Sequence, residues 1–106
     1  MFTETGRIVF LSDIRTGVSS RTGEQWATLD VVIETMDRYP RKICGSIMSQ
    51  KYITNAQLKL GESVTLQLEP RSHEFNGNWY TDLTIIDVST NGISRFVQGA
   101  SQLINN

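Results

Sequence analysis

Glu74-Phe75-Asn76-Gly77-Asn78-Trp79-Tyr80-Thr81-Asp82 is the stretch on which the fold turns. An Asn-Gly pair between two strand-like runs is the strongest short-range signal for a two-residue β-hairpin. A type I′ turn needs positive φ at both central positions, and Asn and Gly tolerate it. Phe75 precedes the turn, and Trp79 and Tyr80 follow it. A rigid hairpin carrying flat rings suits two ends: stacking nucleobases or filling a small β core. Neighbours on a strand face opposite ways, so one of Trp79 and Tyr80 is expected in the core and the other on the surface. The strand's parity leaves open which.

Upstream, Phe2 to Leu11 reads as a first strand. Ser12 to Glu24 reads as a loop rich in Gly, Ser, Thr and Arg. Gln25 to Glu34 is the clearest strand. Ala27, Leu29, Val31 and Ile33 make one face, while Trp26, Thr28, Asp30 and Glu34 make the other, with Val32 the apolar exception. That alternation marks a half-buried antiparallel strand and turns Trp26 outward. Arg41 to Met48 forms a third strand, with Ile43, Gly45 and Ile47 on one face and Gly45 a candidate bulge. Ser49 is placed to cap a short helix over Gln50 to Leu60, ended by Gly61. Val64, Leu66 and Leu68 alternate in a fourth strand that Pro70 and Arg71 end or confine to an edge. Asn78 to Val88 is the fifth.

Five short antiparallel strands leave open edges unless the sheet curls. Closure into a small barrel, with the helix between strands 3 and 4 plugging one end, removes them. The expected fold is therefore all-β, a five-stranded OB-fold barrel. Residues 1–88 make this domain, and residues 89–106 a C-terminal tail. In the tail, Thr90-Asn91-Gly92 breaks the strand. Ile93, Phe96, Val97, Ala100, Leu103 and Ile104 then recur at helical spacing, which predicts an amphipathic helix.

Composition narrows the function classes. The chain has 106 residues and a formal net charge of -1, enough for one domain with a modest core and poor for a strongly electrostatic binder of duplex DNA. A single-strand binder remains open, because stacking together with a local basic groove suffices. No apolar run is long enough to span a bilayer, and Met1-Phe2-Thr3-Glu4 lacks the start of a signal peptide. The single cysteine, Cys44, fits a reducing cytoplasm. One histidine, His73, and one cysteine far apart in sequence give a metal site almost no support. Neither a nucleophile–base constellation nor a phosphate-cradling glycine loop is present, so no catalytic residues and no cofactor are expected.

The candidate binding residues follow from ring and charge. Trp26, Phe75, Trp79, Tyr80 and Tyr39 are the stacking candidates. Arg15, Arg21, Arg38, Arg41, Lys42 and Arg71 are the phosphate candidates. Arg38, Arg41 and Lys42 surround Tyr39 and Pro40, a mixture that suits a single strand or simply protects an edge.

The chain also resembles a family of short, mostly uncharacterised bacterial proteins related to single-stranded DNA-binding proteins with one OB-fold. The resemblance rests on Trp26, on Val32-Ile33-Glu34-Thr35 leading into Tyr39-Pro40-Arg41-Lys42, on Gly61-Glu62-Ser63-Val64, and on the hairpin quoted above. It covers roughly residues 4 to 88. His73 and Asn78 stand where that family often carries basic residues. The resemblance implies binding of single-stranded nucleic acid, DNA first and RNA as the alternative, without enzymatic activity.

The leading expectation is thus a low-specificity single-strand binder whose modest affinity per domain is raised by homo-oligomerisation. The second is an OB-fold adaptor that binds a protein partner through the hairpin and the tail. An oligosaccharide binder is the third, since OB loops also serve that purpose. A membrane-surface role is poorly supported, because the tail carries Arg95 as its one cation.

Overall fold

The computed structural model describes residues 1–97. Its elements are β1 (Phe2–Leu11), β2 (Arg15–Val18), β3 (Gln25–Thr35), β4 (Lys42–Ile47), α1 (Gln50–Ala56), β5 (Ser63–Phe75), β6 (Asn78–Thr90) and β7 (Ile93–Ser94). The alternation in β3 is realised: Ala27, Leu29, Val31 and Ile33 are buried, and Trp26 is exposed. β1 pairs with both β3 and β5, β5 with β6, β6 in parallel with β4 through Thr84 and Ser46, and β4 with β3. These five strands close a ring, the OB-fold barrel, so the barrel itself keeps no free edge. Ile8, Val31, Ile33, Ile47, Val64, Leu66, Leu68 and Val88 fill the interior, with Ile53 and Ala56 of α1 buried against the same cluster. No helix among the described residues is long and apolar enough to cross a membrane.

Ser49 caps α1 as expected, its hydroxyl accepting from the Tyr52 N–H. The helix is shorter than its sequence pattern. It ends at Ala56, with Gln57 in the left-handed conformation at φ 46°, and Gly61 instead serves the turn into β5.

Gly45 is no bulge. The β3–β4 register runs unbroken from Leu29↔Ile47 to Glu34↔Lys42, and the irregularities fall between Ile8 and Phe10 and between Gln67 and Leu68. Gly45 is small because the barrel is tight there. A Cβ would lie 2.8 Å from Ile85 Cγ1 and 3.0 Å from Leu68 Cδ2. Gly45→Ala is accordingly expected to cost about 1–3 kcal/mol by overpacking, read by chemical denaturation.

Two segments differ from the sequence expectation in kind. The Ser12 to Glu24 loop contains β2, which pairs with β3 from Arg15↔Thr28 to Val18↔Gln25. The tail begins as strand. Asn91 and Gly92 both take positive φ, forming a second two-residue turn that returns β7 along β6 through Thr90↔Ile93. Phe96 is then buried and stacks on Tyr52 of α1, centroids 4.5 Å apart and planes 6° from parallel. Asn55 Nδ2 donates to the Phe96 carbonyl at 2.9 Å. The helical spacing from Ile93 to Val97 is therefore not taken up as a helix. Ala100, Leu103 and Ile104 lie outside the described residues.

Arg95 fixes this closing turn. It donates to Glu62 Oε2 at 2.9 Å, to Thr90 Oγ1 at 3.2 Å and to the Gln57 carbonyl at 3.0 Å. Burial pushes the Glu62 carboxyl up, but hydrogen bonds from Arg95 and the Lys59 N–H outweigh it and hold the group below its ordinary value. A carboxyl depressed in the folded state stabilises fully above its unfolded value and loses that contribution as pH falls through the folded one. Stability is thus expected to drop on acidification. Arg95→Met should lower stability at neutral pH and flatten this dependence, as thermal melts at neutral and acid pH would show.

Candidate nucleic-acid interface

The outward row of β3 carries Trp26, Thr28 and Asp30 in succession, because every second residue shares a face. Cys44 and Ser46 of β4 lie beside that row through the pairs Val32↔Cys44 and Asp30↔Ser46. Met48 just past β4, Asp82–Thr84 of β6 and Arg15 of β2 complete a groove of about 540 Å³. It lies on the outer face of β3 and β4, between β2 and the base of the β5–β6 hairpin.

Trp26 stands at one end of this groove and is 48% exposed. Its indole rests against Gly17 in the facing strand: a Cβ there would sit 2.4 Å from Trp26 Cζ2. A second cavity of about 250 Å³, bordered by Val18 and Gln50, flanks the same ring. The indole is held by backbone on β2 and open to both cavities, which is the geometry of a stacking platform.

The hairpin projects beyond the barrel. β1 begins at Phe2 opposite Leu68, and from Pro70 onward β5 keeps β6 as its partner among the described residues. Pro70 thus sits where one side of β5 is an edge, which tolerates it. Asn76 and Gly77 take φ of 52° and 80°, the type I′ turn. Cross-strand pairs share a face. Glu69↔Thr84, Arg71↔Asp82, His73↔Tyr80 and Phe75↔Asn78 therefore continue the outer, groove-bearing face. Pro70↔Leu83, Ser72↔Thr81 and Glu74↔Trp79 continue the inner face past the end of the core. Neither Trp79, at 71%, nor Tyr80, at 47%, is buried, so the expectation that one of them is core fails. The barrel ends before it reaches them. Tyr80 stacks on His73, centroids 5.7 Å apart, and His73 Nδ1 lies 3.7 Å from Asp82 Oδ2.

The structure gathers some of the sequence candidates and separates others. Arg15 and Trp26 line the groove. Arg71, Phe75 and Tyr80 share the adjoining hairpin face, and Arg21 occupies the β2–β3 turn. Trp79 lies on the opposite face of the hairpin. Arg38, Tyr39, Arg41 and Lys42 sit at the far end of β3, five residues or roughly 17 Å beyond Asp30. There Arg41 reaches Glu4 at 3.4 Å and Asp37 at 3.7 Å, and Arg38 lies over the Tyr39 ring at 5.7 Å.

Arg15 is also committed, donating to Asp30 Oδ1 at 3.0 Å. Ser46 Oγ donates to the same oxygen at 2.7 Å. Cys44, in the groove, has its thiol pushed up by burial and then by Asp30, against the pull of Arg15, so it stays protonated at neutral pH. Among the described residues no three His, Cys, Asp or Glu side chains gather as metal ligands. The sequence by itself does not single out Gly17, Thr28, Asp30 and Ser46 as site residues. Strand parity alone puts Thr28 and Asp30 beside Trp26, whereas the role of Gly17 depends on recognising β2.

Comparison with known proteins agrees with this architecture. The family model described as "Domain of unknown function (DUF3127)" matches residues 4–89. No curated protein is matched by the sequence. The mitochondrial single-stranded DNA-binding protein Rim1 of S. cerevisiae superposes with a TM-score of 0.62 at 15% identity, over 85% of this chain and 92% of that one. The N-terminal domain of PriB from Thermoanaerobacter tencongensis, a dimeric structure, gives 0.51 at 15% identity, over 83% and 91%. The small single-stranded DNA-binding protein from Streptomyces coelicolor gives 0.48 at 12% identity, over 86% and 93%. At 15% identity the likeness to Rim1 and to PriB is one of fold. The chain belongs to the DUF3127 family, and its barrel is the OB-fold that single-stranded DNA-binding proteins also use.

Proposed function

We propose that this domain binds single-stranded nucleic acid, DNA first, along the outer face of β3 and β4, without catalysing a reaction. The observation that carries the reading is Trp26: a half-exposed indole, seated on Gly17, at the end of a groove that runs on to the hairpin face bearing Tyr80 and Phe75. The fold shared with Rim1 supports it. Bases stack on Trp26, Tyr80 and Phe75, while Arg21 and Arg71 meet phosphates at the two ends of the track. Arg38, Lys42 and Tyr39 engage a strand long enough to pass the far end of β3. Trp79 meets a strand that wraps around the hairpin.

With few cations along the proposed track, Arg21 and Arg71 at its ends and Arg38 and Lys42 at the far end of β3, counterion release is small. The slope of log affinity against log salt is expected at roughly −1 to −3, measured by titrating a single strand at several salt concentrations. Zero slope would remove the phosphate contacts from the account. Modest affinity per domain makes a second copy valuable through avidity.

Trp79 also favours a second reading. A ring 71% exposed on the face away from the groove suits a protein partner, with the hairpin as an adaptor surface. Trp79→Ala abolishing partner capture while leaving single-strand binding intact would support it. A deletion that tests the tail has to begin after Val97, because Phe96 is part of the packed structure.

A further inference from the structure

The charge inside the groove raises a question that its aromatic wall does not answer. The charged side chains lining it are Arg15, Asp30 and Asp82. Arg15 already donates to Asp30, so the floor offers phosphate no free cation and two carboxylates. A backbone phosphate is repelled there. A strand lying along this face must turn its bases inward and keep its phosphates at the rims.

Asp30 is built to receive such a base. Ser12 fixes its backbone on both sides, the Asp30 N–H donating to Ser12 Oγ at 2.9 Å and the Ser12 N–H donating to the Asp30 carbonyl at 3.0 Å. Its side chain is 26% exposed, and Oδ1 takes both the Arg15 and the Ser46 hydrogen bonds. Among the described residues no donor reaches Oδ2. The result is a half-buried, pre-oriented acceptor with one oxygen open to solvent, in a groove with an exposed indole at its end.

We infer that the groove discriminates among bases, preferring those that carry an exocyclic amino group over thymine or uracil, with Asp30 as the residue that reads them. The inference rests on the single-strand reading of this groove and goes beyond its stacking contacts, which are blind to base identity. An ionised carboxylate only accepts hydrogen bonds. Cytosine, adenine and guanine each offer an amino group as donor. Thymine has none, and its two carbonyl oxygens flank its one ring N–H. A thymine covering Asp30 removes water from Oδ2 and offers in return only an N–H that brings a carbonyl oxygen toward the carboxylate on either side, and a site built to hydrogen-bond a ligand disfavours an analogue that pairs its polar group poorly.

The test compares two pyrimidine homopolymers of equal length, oligo-dC and oligo-dT, at neutral pH, on the full chain and on Asp30→Asn. Wild-type protein is expected to bind oligo-dC about tenfold more tightly, the scale of one hydrogen bond to a charged acceptor. Asparagine both donates and accepts, so Asp30→Asn should bring the ratio close to one. It also frees Arg15, so oligo-dT affinity should hold or rise. Equal wild-type affinities would overturn the inference and leave the single-strand reading standing. A preference that survives in Asp30→Asn would remove Asp30 as the reader. Failure to bind either oligonucleotide would defeat the single-strand reading and the inference with it. The wild-type ratio needs no variant, so a misfolded Asp30→Asn does not rescue the claim.

Discussion

Phe96→Ala lowers the stability of the domain by about 3–5 kcal/mol, the range for emptying a well-packed aromatic site. Phe96 is 3% exposed, is stacked face to face on Tyr52, and has its carbonyl held by Asn55. Truncation leaves a cavity between α1 and the end of β6. It also strips Tyr52 of its cover, and α1, with seven residues, is too short to hold itself together without tertiary contacts. A drop in Tm on the order of 20 °C follows for a domain of this size, measured by calorimetry. A loss below about 1 kcal/mol is what an ordinary surface site gives. It would mean that the segment after β7 does not belong to the folded unit.

Trp26→Ala weakens single-strand binding by about 1–3 kcal/mol without unfolding the protein. The ring points away from the core, so its removal leaves the barrel interior untouched. Gly17→Ala is the companion variant. The new methyl would meet the indole at 2.4 Å and push it off its seat, while Gly17 itself has no side chain with which to touch a ligand. Gly17 is thus a positioning residue. Part of the Trp26 affinity should vanish with Trp26 still present, and the tryptophan emission of the free protein should shift as the ring moves. Unfolding of Trp26→Ala would place the ring in the core and end the assignment. A normal affinity in both variants would move the strand elsewhere.

The barrel was legible wherever one face of a strand is wet and the other dry. In β3 that contrast sets both its register and the direction of Trp26. The Asn76-Gly77 turn was legible because few dipeptides accept two positive φ angles. β2 was hidden because Arg15-Thr16-Gly17-Val18 has almost no apolar pattern; it extends a hairpin with β3 outside the ring. The exposure of both Trp79 and Tyr80 is not legible because a strand's own residues do not reveal how far its neighbours reach, and β1 reaches along β5 only as far as Leu68, opposite Phe2. Asn91-Gly92 repeats the dipeptide of the main hairpin. The helical spacing that follows it outweighed a turn signal of the same kind. Arg38, Tyr39, Arg41 and Lys42 cluster in sequence, but which end of the barrel they occupy depends on the closed ring. The Arg15–Asp30 pair, which engages the cation of the groove lining, joins two strands and is invisible in a sequence whose β2 carries no strand pattern.

If Trp26 and its groove hold a single strand, the indole reports it. The measurement is a tryptophan-fluorescence titration of the protein with a single-stranded oligonucleotide at low and moderate salt, with a duplex of equal length as control. Saturable quenching by the single strand is expected, weaker at moderate salt, absent with duplex, and largely lost in Trp26→Ala. A saturable signal equal for duplex and single strand, or no quenching at low salt, would contradict it.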